Sequence, residues 1–218
     1  DLVLSHHPSG LGSVYFSEVM YMQADMMAAL GIPINVAEGI LQDRIDEVRR
    51  RGMPSNHYRV VDAARLLDMP LMSIHTPADN NVQKLVQTHI DSRNPETLED
   101  LTKTLKEIPE YKEAALRGTG PVILVGKKES RCGKIAVSMT GGTGGPKADI
   151  EAFVKAGVGT AVEMHMSEEK IEEAKKHHLN VVIAGHMASD SIGMNIILDQ
   201  FEKKGVEVIT FYSLFLKL

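Results

Sequence analysis

Three apolar runs in this sequence stop at histidine, and two of them reach an aspartate four residues later. They are Leu2-Val3-Leu4-Ser5-His6-His7, Leu71-Met72-Ser73-Ile74-His75-Thr76-Pro77-Ala78-Asp79, and Val181-Val182-Ile183-Ala184-Gly185-His186-Met187-Ala188-Ser189-Asp190. Neutral imidazole combined with carboxylate suits Zn, Fe, Mn, Co or Ni, whereas Ca or Mg favours mainly oxygen donors. His6, His7, His75, His186, Asp79 and Asp190 supply enough donors for two divalent metal ions. His7 precedes Pro8 and is biased to extended backbone. Adjacent side chains of an extended segment point to opposite sides, so His6 and His7 suit two different ions, or opposite sides of one cluster. His186 and Asp190, one helical turn apart, can face the same way. A single histidine after a strand is more often a hydrogen-bonded structural residue; the repetition is what points to metal.

Other signals are weaker. His165, in Glu163-Met164-His165, ends a short apolar run and is a candidate proton-transfer group. His177 and His178 close a helix, where positive charge is favourable, while His57 and His89 have no ligand-spaced partner. The loop Gly141-Gly142-Thr143-Gly144-Gly145 could cradle an anion, or could be only a tight strand-to-helix turn. It fits neither the phosphate-loop nor the dinucleotide-loop pattern. No serine-hydrolase elbow and no H-E-x-x-H helix occurs.

Short buried strands alternating with helices must position these residues, which is the pattern of a mostly parallel α/β sheet. Strands are expected at 2–4, 70–74, 122–125, 134–139, 181–184 and 206–211, with a short one at 161–164. The pair 122–125 and 134–139 reads as joined through Lys127 to Gly133. Helices are expected at 17–30, 35–51, 56–67, from Asn94-Pro95 through Ile108, 147–156, 168–178 with Ser167 as cap, and to about 203. In open parallel sheets ligands sit at the carboxyl ends of strands, so the three histidine endings should converge. The polar stretch near 88–96 divides a first lobe, 1–92, from a second, 93–218.

The totals narrow the class. The chain has 218 residues, 43% hydrophobic and 24% charged, enough to build a folded core. A net charge of −5 argues against broad nucleic-acid binding, and the Arg44, Arg49, Arg50, Arg51 group reads as a solvated helix face. The one cysteine, Cys132, rules out an intrachain disulfide and fits a reducing cytoplasm. No apolar run is long enough to span a membrane. Asp1 stands directly against the apolar run, as in a strand interior, so further residues are expected to precede it.

The segments DLVLSHHP, LMSIHTPADN, GGTGG and NVVIAGHMASD, in that order, resemble the NGG-one-interacting-factor-three-like family, whose members are also known as type-two GTP cyclohydrolase homologues. The resemblance implies two α/β lobes with a dinuclear metal cleft between them. Its metal ligands would be His6, His7, Asp79, His186 and Asp190, with His75 beside the ligands rather than among them. It also implies ring-shaped, hexameric homo-oligomers. Two departures stand out: the family's segment before the HHP strand is missing here, and Asp190 stands where the family usually has Glu. The expected activity is hydrolysis of a small phosphorylated or nucleotide-like substrate, with His165 or His75 moving the proton. The alternative is a non-enzymatic metal-binding scaffold or interaction protein.

Overall fold

A computed structural model describes residues 1–210, which divide into two compact units. The first unit holds residues 1–77 with the loop 141–146. Its strands β1 (Val3–Ser5) and β2 (Leu71–Ser73) pair in parallel, Val3 opposite Leu71 and Ser5 opposite Ser73. Between them run α1 (Leu11–Val14), a 3₁₀ segment (Phe16–Tyr21), α2 (Met22–Ala29), α3 (Ile34–Gly52) and α4 (Arg59–Leu66). Gly31, with φ of 103°, ends α2 in a conformation that side chains resist, and Pro33 precedes α3. Helix α3 buries Ala37, Leu41 and Ile45, a stripe at four-residue spacing.

Helix α5 (His75–Arg93) begins on residues of the first unit and continues into the second. It was not expected. Asp, Asn and Pro in its first turns read as loop chemistry, yet Ala78, Val82, Val86 and Ile90 form an unbroken buried stripe. Helix α6 (Leu98–Leu105) is capped by Thr97, whose Oγ1 accepts from the Asp100 N–H. The anticipated Asn94-Pro95 cap is therefore displaced, and Asn94 instead takes a positive φ of 45°. Helix α7 (Pro109–Leu116), also unanticipated, starts with the proline that stops its predecessor.

The second unit's sheet contains β3 (Val122–Val125), β4 (Lys134–Ser138), β5 (Val158–Glu163) and β6 (Asn180–Ile183) in the order β3-β6-β5-β4. Pairings β4–β5 and β5–β6 are parallel, while β3 runs antiparallel to β6. Thus β3 and β4, adjacent in sequence, lie on opposite edges. Their connection does not fold back as a hairpin, because it is held by 95–99: Leu98 N–H donates to Ser130 O and Cys132 N–H to Glu96 O. Edge strand β4 is covered by α5 glutamines, with Gln83 bonding Val137 O and Met139 N and Gln87 bonding Val137 N. Helices α8 (Ala148–Lys155), α9 (Glu168–Lys176) and α10 (His186–Glu202) complete the unit, and Ser167 Oγ caps α9 as expected. Residues 206–210 form no strand, and Phe211 lies outside the described residues.

The core of the second unit joins α5, α6, α7 and α10 to the sheet, with Leu101, Leu105, Tyr111, Val162, Val182 and Ile192 fully or almost fully buried. No described helix is long and apolar enough to cross a membrane.

Candidate metal centre

In the first unit, parallel pairing sets the geometry. Ser5 and Ser73 are register partners, their hydroxyls 2.8 Å apart, and Ile74 N–H donates to Ser5 O. The chain continuations past both strands therefore emerge side by side, carrying His6 and His7 from one and His75 from the other. His6 and His75 stack with ring centroids 4.7 Å apart; His7 lies 5.1 Å from His6 and 5.5 Å from His75. One nitrogen from each lies within 4.8 Å of the others, close enough to share an ion. Phe16 meets His75 edge-on at 5.2 Å.

The second unit repeats the device. Strand β6 is followed by Gly185, whose φ of 106° and the approach of Thr119 O, 2.8 Å from where a Cβ would stand, exclude any side chain. That turn starts α10 at His186 and places Asp190 one turn on, with Nε2 to Oδ2 at 3.4 Å. On the neighbouring parallel strand, Glu163 pairs with Ile183, so His165 emerges near His186, ring centroids 5.0 Å apart. Burial of part of its ring and the neighbouring His186 hold the His165 pKa below the ordinary histidine value, against the pull of Glu163 and Asp190. Its imidazole is thereby biased neutral near pH 7 and able to accept a proton.

Asp79 comes from the first turn of α5 and is buried, as is Asp190. One oxygen of each lies within 4.8 Å of the other. Gly193 makes this approach feasible, because a Cβ there would stand 2.3 Å from Ala78 O. Hydrogen bonds fix α10 in place: Tyr111 Oη and Ser189 Oγ at 2.8 Å, and Asn195 Nδ2 donating to Glu110 Oε1 at 2.8 Å. These anchors escaped the sequence reading, since nothing in the spacing of Glu110 and Asn195 relates them.

The donor set fits a divalent transition metal. Two buried carboxylates this close repel unless a proton or cation lies between them, and imidazoles flank each group. The first unit holds the group His6, His7 and His75, and the second holds Asp79, His186 and Asp190 with His165 beside them.

Three of the remaining histidines have structural partners. His57 Nδ1 lies 2.8 Å from Ser13 Oγ, His89 faces Thr104 O and Glu107, and His177 pairs with Glu173. The glycine loop behaves as a tight turn tied down by side chains. Gln23 donates to Gly141 O and Thr143 O, and Arg44 Nε donates to Gly144 O. Glu47 engages both Arg44 and Arg51. Burial pushes the Cys132 thiol up to about 11, so it is no nucleophile near neutral pH.

Residues 45–214 match the model of the Duf34/NIF3 (NGG1p interacting factor 3) family. A NIF3 superfamily protein from Sphaerobacter thermophilus has a crystal structure similar to this chain, with a TM-score of 0.87 and 30% identity over 98% of this chain and 79% of that one. Reduced HcgD from Methanocaldococcus jannaschii is more distant, at 16% identity and a TM-score of 0.49 over 68% of this chain and 63% of that one. Staphylococcus aureus protein SA1388 is more distant still, at 19% identity and 0.35 over 56% and 34%. Neither distant likeness bears on the site. No curated protein matches the sequence. The family match spans well over half of the sequence and includes β3 to β6 and the His186–Asp190 turn: this chain belongs to the Duf34/NIF3 family.

Proposed function

We propose that the chain is a dinuclear metal-dependent hydrolase of a small phosphorylated or nucleotide-like substrate. His6, His7, Asp79, His186 and Asp190 are the ligands of two divalent ions (Zn, Fe, Mn or Ni). The observation that carries the reading is the donor pair Asp79–Asp190 with His186 at 3.4 Å, buried carboxylates beside an exposed-edged imidazole. Divalent cations held there would supply Lewis acidity toward an attacking water and toward charge developing on a phosphoryl or carbonyl oxygen. The chain's own contribution is orientation and proton transfer. Gly185 and the Tyr111–Ser189 bond aim His186, and an imidazole nitrogen of His165 accepts or returns a proton. His75 is the second candidate for proton transfer, although its clustering with His6 and His7 equally suits a ligand.

The test is metal content per chain in tag-free protein, followed by turnover on nucleotides and phosphate esters. About two equivalents, with His6→Ala losing turnover while remaining folded, is the expected result. Less than about half an equivalent after incubation with Zn, Mn and Fe would sink the reading, since a preformed donor set should retain its metal. The family's name, NGG1p interacting factor 3, supports a second reading as a metal-stabilised interaction protein. Fully loaded protein whose ions exchange no water would favour it, because structural sites are closed and catalytic ones open. A homo-oligomeric ring is part of the proposal and is checked by sedimentation of the loaded chain.

A further inference from the structure

Asp79, Gln83 and Gln87 recur every fourth residue along α5 and so share one face of it. On that face the two glutamines stand where the edge strand β4 lacks a strand neighbour. Gln83 Nε2 donates to Val137 O at 2.8 Å, and Gln83 Oε1 accepts from Met139 N–H at 2.7 Å. One turn further on, Gln87 Oε1 accepts from Val137 N–H at 3.1 Å. Side-chain bonds one turn apart, made to fixed backbone groups, restrain both rotation and axial slip of the helix. Asp79, one turn before Gln83, is thereby indexed to the end of β4.

The start of α10 is indexed to the same place by a different route. Ser189 Oγ lies 2.7 Å from Gly185 O, and a carbonyl only accepts, so the single hydroxyl proton of Ser189 is committed there. Tyr111 Oη, 2.8 Å from Ser189 Oγ, must therefore donate to it. The chain has one direction, from Tyr111 to Ser189 to the carbonyl of the residue before His186. Met139 Sδ, 3.5 Å from Tyr111 Oη, is a second and weaker acceptor. Tyr111, Ser189 and Met139 are fully or almost fully buried, so water does not replace a bond lost among them. Met139 joins the two arms. Its N–H holds α5 through Gln83, and its sulfur meets the tyrosine that holds the start of α10.

We propose that Gln83 and Tyr111 are positioning residues that set the separation of Asp79 from the His186–Asp190 pair, and through it the affinity for the metal. The inference rests on the metal reading and deepens it. Groups that orient metal ligands typically change affinity by about 10–100-fold when removed.

The probe is Co(II), titrated into the chelated full chain against a chromophoric chelator, with its visible absorption recorded as a signature of ligand geometry. Tyr111→Phe deletes only the hydroxyl and should weaken Co(II) binding at least about tenfold with an altered spectrum. Ser189→Ala breaks the same chain, so it should cost about as much, and the double variant little more than either alone. Gln83→Met, acting on the other helix, should weaken binding as well. Ile150→Val, in the buried face of α8 and outside both arms, lowers Tm but should leave affinity and spectrum unchanged. Unchanged affinity and spectrum in folded Tyr111→Phe, Ser189→Ala and Gln83→Met would overturn the assignment, as would an equal loss in Ile150→Val. Wild-type chain that binds no Co(II) would instead sink the metal reading, and this inference with it.

Discussion

Replacing Lys170 by Met should destabilise the chain strongly and in a pH-dependent way. Lys170 projects from α9 with Nζ 3.0 Å from Asp149 Oδ2 and 3.0 Å from Glu163 Oε1. All three side chains are about 5% exposed, so one cation serves two buried carboxylates, and Asp149 Oδ1 has no hydrogen-bond partner among the described residues. Burial pushes the Asp149 carboxyl up to about 6, with Lys170 opposing and Glu163 reinforcing the rise. Burial disfavours the ammonium, but Glu163 and Asp149 together hold Lys170 above its ordinary value. Removing one partner of a buried pair typically costs about 3–5 kcal/mol. At roughly 2–4 °C per kcal/mol for a chain this size, Tm should fall by about 6–20 °C.

The sign with pH follows from the carboxylates. A folded pKa raised above the unfolded value contributes stability below the unfolded pKa, and that contribution is lost as pH rises through the folded one. For Asp149 that window runs from the ordinary 3.8 to about 6. Without Lys170 the Asp149 carboxyl is raised further, so the Lys170→Met deficit should be small near pH 5 and large near pH 8. Urea denaturation at the two pH values measures it, and adding Asp149→Asn should recover part of the loss at the higher pH. A deficit equal at both pH values, or below about 1 kcal/mol, would refute the reasoning. The consequence reaches the site, since Glu163 ends β5 two residues before His165.

Gly193→Ala should destabilise by about 1–3 kcal/mol despite alanine's better helix propensity, because the new methyl meets Ala78 backbone atoms that cannot yield. Metal content should fall with it, and an unchanged melting curve would contradict the close approach. His75→Ala separates two roles: a ligand loses metal by elemental analysis, whereas a proton carrier keeps metal and loses kcat, as does His165→Ala. Added Zn or Mn at about a hundred times Kd should stabilise by about 2.7 kcal/mol, visible as a Tm rise of roughly 5–11 °C. That rise should vanish in Asp79→Asn with Asp190→Asn, and its persistence there would place the metal elsewhere.

The histidine endings were legible because parallel strands write their chemistry in short local words. An apolar run followed by an imidazole needs no long-range information, and Leu2–His7, Leu71–His75 and Val181–His186 each keep theirs within a few residues. What escaped depends on distant partners. That β3 lies against β6 rather than β4 follows from hydrogen bonds between 95–99 and 128–132, which no periodicity encodes. Helix α5 was hidden for a different reason: its first turns carry Pro77, Asn80 and Asn81, residues of low helix propensity, and tertiary burial of Ala78, Val82, Val86 and Ile90 overrides them.

That override bears on function. Asp79 sits in the part of α5 whose local propensity is poor, and Asp190 is packed close to it across the gap that Gly193 leaves open. Both positions are costly to a metal-free fold: a weak helix start, a glycine inside α10, and two buried carboxylates within 4.8 Å. Cores select against such combinations, and local rules broken together at one place mark sites kept for chemistry rather than stability. The Lys170 triad shows the contrasting solution in the same unit, where two buried acids are neutralised by a cation built into the chain. Beside Asp79 and Asp190 the side chain in reach is an imidazole: His186 Nε2 stands 3.4 Å from Asp190 Oδ2, a donor type suited to a divalent ion.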